Sequence, residues 1–289
     1  MKHLLNLLVI LFMLGMPGNI YSKKCKLNVM SFNMLFEHVK PSQPERQWAN
    51  RLPNAVEFFA KYKPDVVGTQ ELQTFQVREL IAQTGYGWVG GSLSKGTREG
   101  DKSENEAIFY RKDRLEVLEE GNIWFSETPN TPGSFSWGMK YPRMCTWAKF
   151  KDKISGKVFY MLNSHFYVDA DKEKARMEAA KIVMKKTQEI IKDAPVICTG
   201  DLNGVVENPS IKYLLDNGIY KNSRSLVKKP VGPQGSYHGF RKNFIPNRCI
   251  DHIFVSDGLK VKSYKIIDEQ LKNEKYISDH LPVSVEITF

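Results

Sequence analysis

Six short polar stretches, each beside an apolar run, carry the residue types that hydrolytic chemistry needs: Ser31-Phe32-Asn33, Thr69-Gln70-Glu71, Asn163-Ser164-His165, Gly200-Asp201-Leu202-Asn203, Ile250-Asp251-His252-Ile253 and Ser278-Asp279-His280-Leu281-Pro282-Val283. Glu71, Asp201, Asp251 and Asp279 are hard oxygen donors, and Asn33 and Asn203 add neutral ones. No Cys/His spacing of the zinc type accompanies them, so the set suits Mg²⁺, with Mn²⁺ or Ca²⁺ as alternatives, rather than zinc or copper. His165 and His280 are imidazoles that titrate at about 6.5 when unperturbed, so they can move protons or hold phosphate charge at neutral pH. A carboxylate held against one would fix its ring and raise its pKa. A hard cation, an imidazole pair and carboxylates together suit attack of water on a phosphate ester. Each stretch alone has an ordinary reading: Glu71 could cap a helix, Asp201 and Asn203 could shape a turn, His165 could be a satisfied core histidine. Their joint occurrence at strand ends is what favours a shared site.

Strand-like and helix-like segments alternate along the chain, which predicts a mixed α/β architecture. Strands are expected over residues 27–32, 65–69, 107–110, 115–124, 144–150, 158–163, 196–199, 250–255, 261–267 and 283–289. A helix is expected from Pro44 to Pro64, with Trp48, Leu52, Val56, Phe59 and Ala60 as its apolar face. Others are expected from Thr74 to Gly85, from Asp171 to Lys192 and from Pro209 to Asn217. Residues 86–104 read as a long exposed loop. Together with 125–142 and the basic 221–248 segment, it is a candidate substrate wall, because long ordered loops in compact domains tend to be functional.

The chain has 289 residues, 42% hydrophobic and 26% charged, without repeats or long Pro/Gly/Ser linkers, which excludes disorder and points to one large domain. Residues 1–22 stand apart. A short positive start, an apolar run from Leu4 to Leu14 and a Met-Pro-Gly-Asn break predict a secretory signal cut near Ser22, leaving residues 23–289 as the domain. That run is too short for a membrane span, which needs about 20 residues. A secreted or periplasmic protein is expected, read as a monomer. Removing that segment takes one of the 42 basic residues and none of the 32 acidic ones, so the net charge falls from +10 to +9. Such a balance suits a polyanionic partner, nucleic acid first, with plain solubility as the simpler explanation. Cys25, Cys145, Cys198 and Cys249 allow three disulfide pairings, although Cys198 sits in a buried-strand pattern.

The ordered series of stretches, spanning nearly all of the chain from Asn28 to Glu286, resembles the endonuclease/exonuclease/phosphatase superfamily. The resemblance implies a four-layer α/β/β/α sandwich, two packed sheets flanked by helices. It implies Glu71 as direct metal ligand, with Asn33 and Asp279 helping. Asp201 and Asn203 would orient the attacking water and the phosphate. His280, held by Asp251, would be acid/base or hydrogen-bond donor, and His165 would bind the phosphate from the other side. Glu104 is similar in place to a family acid that pairs with this histidine, with Glu106 competing for the part. Trp124-Phe125-Ser126-Glu127-Thr128-Pro129 and Tyr141-Pro142-Arg143 are similar to features of a secreted bacterial branch, and Arg143 could contact phosphate or make a structural salt bridge. The substrate implied is a phosphoester. A phosphodiesterase or nuclease leads. A phosphatase or phospholipase C-type hydrolase of a small metabolite or sphingolipid is the alternative, and a non-catalytic binding module the least favoured.

Overall fold

The computed structural model describes residues 25–37, 40, 42–99, 102–240, 247–271 and 275–289. The expected signal segment lies outside the described residues. In chain order the elements are β1 (Lys26–Asn33), a 3-10 turn (Pro44–Arg46), α1 (Trp48–Tyr62), β2 (Val66–Gln70), β3 (Leu72–Gln73), α2 (Thr74–Thr84), β4 (Gly87–Val89), β5 (Glu104–Asn105), β6 (Ile108–Tyr110), β7 (Leu115–Trp124), β8 (Met144–Asp152), β9 (Val158–His165), α3 (Glu173–Ile190), β10 (Val196–Asp201), α4 (Pro209–Asp216), β11 (Lys221–Asn222), a second 3-10 turn (Ser223–Leu226), β12 (Asp251–Val255), β13 (Lys260–Ile266) and β14 (Val283–Thr288).

These strands form one sheet ordered β13-β14-β1-β2-β6-β4 and another ordered β11-β12-β10-β9-β8-β7, with a small β3-β5 ribbon beside them. Side-chain alternation with period two decides how the sheets stack. Leu27 and Val29 of β1, Val283, Val285 and Ile287 of β14, Phe159 and Met161 of β9, and Ile197 of β10 all enter one buried cluster between the sheets. The intervening residues face outward. Met30, Phe32, Val67 and Phe109 meet Trp48, Phe58 and Phe59 of α1 and Val77 and Leu80 of α2. Tyr160, Leu162, Val196, Cys198 and Phe254 meet Ala175, Ala179, Ala180, Val183 and Met184 of α3 and Ile211 and Leu214 of α4. The result is the expected four-layer α/β/β/α sandwich. Each fully buried aliphatic or aromatic side chain contributes about 1.5–3 kcal/mol relative to exposure, so the three layers of apolar contact hold the frame rigid around its polar end.

Both sheets contain a parallel pair joined through a helix. β1 runs parallel to β2 with Asn33 beside Gln70, and β9 runs parallel to β10 with His165 beside Asp201. Ligand-binding side chains collect at the carboxyl ends of such strands, and here the two carboxyl ends face each other. Gly68 permits the approach: a Cβ there would fall 2.2 Å from Thr199 Oγ1 and 2.3 Å from Asn163 Oδ1 on the opposite sheet.

Two expectations need correction. Residues 86–104 are not simply an exposed loop, because β4 closes the edge of its sheet and Leu93 is buried with Trp124 and Met144. The buried face of α1 is Trp48, Arg51, Asn54, Ala55, Phe58 and Phe59, with Ala60 exposed and Leu52 and Val56 only partly covered. The face is rotated because the buried end of Arg51 takes backbone carbonyls as partners. The sequence left the cysteine pairing open, and all four cysteines are free, so no disulfide occurs among the described residues. No helix among the described residues is long and apolar enough to cross a membrane.

Candidate active site

The same inward-facing rows that are apolar through the middle of the sandwich turn polar at one end. On β9 the row runs Phe159, Met161, Asn163, His165; on β10 it runs Ile197, Thr199, Asp201; on β1 it runs Leu27, Val29, Ser31, Asn33. Register then sets neighbours. Asp201 lies between His165 on β9 and Asp251 on β12. Below this layer Gln70 Nε2 donates to Asn163 Oδ1 at 2.7 Å, and Asn163 Nδ2 donates to the Thr69 carbonyl at 2.8 Å, tying the two sheets together under the site.

Asn33 crosses between the sheets. Its Nδ2 donates to Glu71 Oε1 at 2.9 Å and to Asp201 Oδ2 at 3.0 Å, while its Oδ1 accepts from Leu35 N at 3.0 Å. Those partners fix the amide orientation and make Asn33 a holder of carboxylates. Glu71 follows β2 with φ +69°, a left-handed backbone that costs a non-glycine residue about 1–3 kcal/mol. The turn aims its carboxylate into the cavity while Leu72 stays in the core. Asn203 adopts φ +46°, a region asparagine tolerates. Its backbone N–H donates to Asp201 Oδ1 at 3.0 Å, and its Nδ2 donates to the Phe166 carbonyl at 3.0 Å and lies 3.2 Å from His165 Nε2.

His280 sits in the turn before β14. Its Nδ1 is 2.8 Å from Asp251 Oδ2, and its Nε2 is 3.6 Å from Asp201 Oδ2. Asp251 Oδ2 also accepts from Ser236 Oγ at 2.6 Å. Burial lowers the pKa of His280, but the Asp251 and Asp201 carboxylates outweigh it and hold it well above the ordinary value. The ring is therefore an imidazolium that donates from Nε2. His165 behaves oppositely. Burial pushes it well below the ordinary value, and the Arg143 guanidinium and His280 push the same way. As neutral imidazole it accepts the Asn203 amide at Nε2 and directs Nδ1–H toward Glu106 Oε1, 3.6 Å away. Burial, then the nearby Asp251, raises Asp201 to about 6.

Glu106 rather than Glu104 lies against His165 Nδ1. Glu104 instead accepts from Arg143 Nη1 at 2.6 Å. Arg143 is buried, stacks its guanidinium on the Tyr141 ring at 4.9 Å, and still lines the cavity with an unpartnered Nε. Of the two roles the sequence offered, the salt bridge is present, and the side chain also borders the cavity.

Three groups of side chains have ligand atoms close enough to share a metal: Glu71-His165-Asp201, Glu104-Glu106-His165 and Asp201-Asp251-His280. In the third, the Asp251–His280 bond already uses the facing atoms. The second has the Arg143 guanidinium beside it, which repels a cation. The first opens on the cavity, and its Glu71 carboxylate fits a hard cation. Glu71 Oε2 is buried without a hydrogen-bond partner, and burial followed by Glu104 and Asp279 raises Glu71 to about 8. A carboxylate so crowded by negative charge is the place where a cation relieves most repulsion. Asp279 lines the same cavity.

All ten sequence-selected residues converge. Glu71, Glu104, Arg143, His165, Asp201, Asn203, Asp279 and His280 line one cavity of about 470 Å³, and Asn33 and Asp251 lie directly beneath it. Others escaped the sequence reading. Arg51 of α1 donates to the carbonyls of Met34 (2.5 Å), Leu35 (2.8 Å), Phe36 (3.0 Å) and Ile277 (3.1 Å), so one buried guanidinium pins the loops carrying Asn33 and Asp279. Its signal was an arginine three residues after Trp48 on an otherwise apolar helix face. Ser236, which organises Asp251, and Tyr237, whose ring meets His280 edge-on at 4.9 Å, carried no signal beyond a Gly-Ser-Tyr-His loop.

Comparison with known proteins agrees with this geometry. A solved structure of a mannosyl-6-phosphatase from Bacteroides thetaiotaomicron is 32% identical with a TM-score of 0.84, covering 91% of this chain and 100% of that one. An endonuclease/exonuclease/phosphatase family protein from the same organism is 31% identical with a TM-score of 0.84, covering 92% and 99%. The RNA exonuclease NGL1 of Saccharomyces cerevisiae is 22% identical over 177 residues, 50% of this chain and 48% of that protein, so this chain matches only about half of it. The Endonuclease/Exonuclease/phosphatase family pattern matches residues 30–280, and the chain belongs to that family.

Proposed function

We propose that the protein is a divalent-cation-dependent hydrolase of small phosphate monoesters, with phosphorylated sugars as the first substrate class. The observation that carries this reading is the closed constellation itself: Glu71, His165, Asp201, Asn203 and His280 line one cavity of about 470 Å³, walled by Phe36, Tyr141, Val168 and Tyr237. That volume suits a small molecule, whose pockets run from about 300 to 1,000 Å³. The 32%-identical neighbour described as a mannosyl-6-phosphatase supports the same class.

The chain's own residues divide the chemistry. Glu71, with Asp279 nearby and Asn33 fixing its orientation, holds the cation. When bound, that cation supplies positive charge against the phosphate oxygens. Asp201, braced by the Asn33 amide and the Asn203 backbone N–H, takes the proton from the attacking water at its carboxylate; as the new P–O bond forms the ester P–O bond breaks, and the departing alcohol oxygen takes a proton from solvent. A carboxyl raised to about 6 is a stronger base than an ordinary one and is still ionised at neutral pH. His280 donates from Nε2 to a phosphoryl oxygen as charge builds there, and Asp251 keeps that proton in place. His165, its Nε2 accepting from the Asn203 amide, holds Asn203 in place on the opposite side of the cavity.

A second reading, cleavage of nucleic acid, is favoured by the net charge of +10 and by the relative described as an RNA exonuclease. One panel separates the two. With Mg²⁺, purified protein should release inorganic phosphate from mannose 6-phosphate and p-nitrophenyl phosphate far faster than it cleaves bis(p-nitrophenyl) phosphate or single-stranded RNA, and a chelator should abolish the release. Preferential cleavage of RNA or of the diester would overturn the monoesterase reading in favour of the second.

A further inference from the structure

The two walls of the cavity differ in charge. On one, Arg143 is matched by Glu104 at 2.6 Å. On the other, Tyr237 lines the cavity with Phe240 three residues further along the chain, and each ring carries a guanidinium: Arg248 lies 5.0 Å from the Tyr237 centroid and Arg46 lies 5.2 Å from that of Phe240. Both arginines line the cavity. Among the described residues neither makes an ion pair, and Arg46 Nε is buried without a hydrogen-bond partner. An arginine commonly reaches an acidic neighbour when one is available. Here two are splayed from separate segments, before α1 and before β12, onto rings three residues apart. Stacking on an aromatic face fixes a guanidinium's plane while leaving its N–H edge free for a planar or tetrahedral anion. The hydrolysed phosphate does not need them, since His280 and the cation held by Glu71 already face it.

We infer that Arg46 and Arg248 form a second anion subsite, so that the favoured substrate carries a further phosphate group on the part of the molecule that leaves. This rests on the phosphoester-hydrolase reading and narrows it to bisphosphates. The further phosphate could belong to a small sugar or to the next nucleotide of a chain, and the volume of the cavity favours the sugar.

The test compares a hexose bisphosphate, the matching monophosphate and a 5′-phosphorylated dinucleotide with Arg46→Gln, Arg248→Gln and Arg248→Lys. Wild-type protein should prefer the bisphosphate by about tenfold or more in kcat/KM, mostly through KM, as expected for a charge-assisted contact that is not part of the chemical step. Each Gln variant should lose most of that preference while its rate on the monophosphate changes less than about twofold, and Arg248→Lys should recover part of it. A dinucleotide favoured over the sugar bisphosphate, and sensitive to the same variants, would assign the subsite to a nucleic acid end. A preference ratio near one in wild type, or one that the variants leave intact, would overturn the subsite.

Calorimetric binding of the same compounds to the metal-free protein tests the subsite apart from hydrolysis. If no compound is hydrolysed yet the bisphosphate binds more tightly through both arginines, the hydrolase reading fails and the subsite stands. If the esters are hydrolysed while bisphosphate and monophosphate bind alike, the subsite alone fails. Arg248 is exposed, so its variants keep the test valid if Arg46→Gln does not fold.

Discussion

His165 and His280 stand on either side of Asp201, with Nε2 atoms 3.5 and 3.6 Å from its Oδ2, and both are almost wholly buried. The protein nevertheless holds them in opposite charge states. Burial disfavours the imidazolium in both. The partner at Nδ1 decides the outcome. Asp251 accepts a hydroxyl from Ser236 and makes a 2.8 Å contact with His280, so its negative charge is available to that ring. Glu106 is fully buried with neither oxygen hydrogen-bonded among the described residues, and burial, despite Arg143, holds it well above the carboxylate range. It therefore keeps its proton and gives His165 no negative charge to lean on. An acid raises a histidine's pKa only if the acid is itself supported in its charged form.

If that contrast carries the chemistry, removing the two imidazoles should cost different amounts. His280→Ala should lower kcat by about 10³-fold, within the range for a group that donates to developing charge. His165→Ala should cost about 10–100-fold, with a larger share in KM, because a neutral ring acts only by holding Asn203 beside the reacting group. Steady-state phosphate release on the best monoester measures both. Equal losses, with equal partition between kcat and KM, would erase the distinction.

The acids behind the rings sharpen it. In Asp251→Asn the charge that raises His280 is gone, so His280 loses its proton at lower pH. The alkaline limb of the kcat/KM profile should then move down by about one unit or more. Glu106→Gln replaces a neutral acid by a neutral amide of the same shape. The limb should stay in place, and the rate should fall by less than about tenfold. A shift of the alkaline limb in Glu106→Gln, or none in Asp251→Asn, would reverse the assignment.

The sequence made one of these pairs plain and obscured the other. Asp251 and His280 occupy motifs whose order along the chain is diagnostic, and strand alternation alone places Asp201, His165 and Asp251 on one face. Glu104 and Glu106 are two residues apart, so both satisfy the same one-dimensional description. Only the ribbon of β5 with β3, which turns Glu104 toward Arg143, separates them. Arg51 was hidden for a related reason. An arginine on an apolar helix face looks like a break in the pattern until the carbonyls of two distant loops are seen to surround it. Strand ends are written in periodicity. Contacts made through loops of irregular backbone, such as Ser236 on Asp251, are not.

The smallest expected effect is on stability, and its sign separates the cation site from the histidine pair. Glu71 is raised from an ordinary 4.5 to about 8, so between those values the unfolded chain has lost a proton that the folded one retains. Unfolding then releases a proton, and stability falls as pH rises through that window. His280, raised well above 6.5, acts in the same direction over its own window. His165, lowered well below 6.5, acts in the opposite direction, and its share fades above about 6.5, where its unfolded form is less than half protonated. Between pH 6.5 and pH 8 it therefore opposes the decline only slightly, as do His238 and His252, which burial also lowers. In chelator the melting temperature should drop across that interval by about 2–4 °C for each kcal/mol involved. Mg²⁺ should restore more at pH 8 than at pH 6.5, because the cation and the proton compete for the Glu71 carboxylate. In Glu71→Gln the Mg²⁺-dependent part should vanish, and the decline assigned to His280 should remain. A metal-free protein that gains stability from pH 6.5 to pH 8, or a Glu71→Gln protein still stabilised by Mg²⁺, would remove Glu71 from the centre of the cation site.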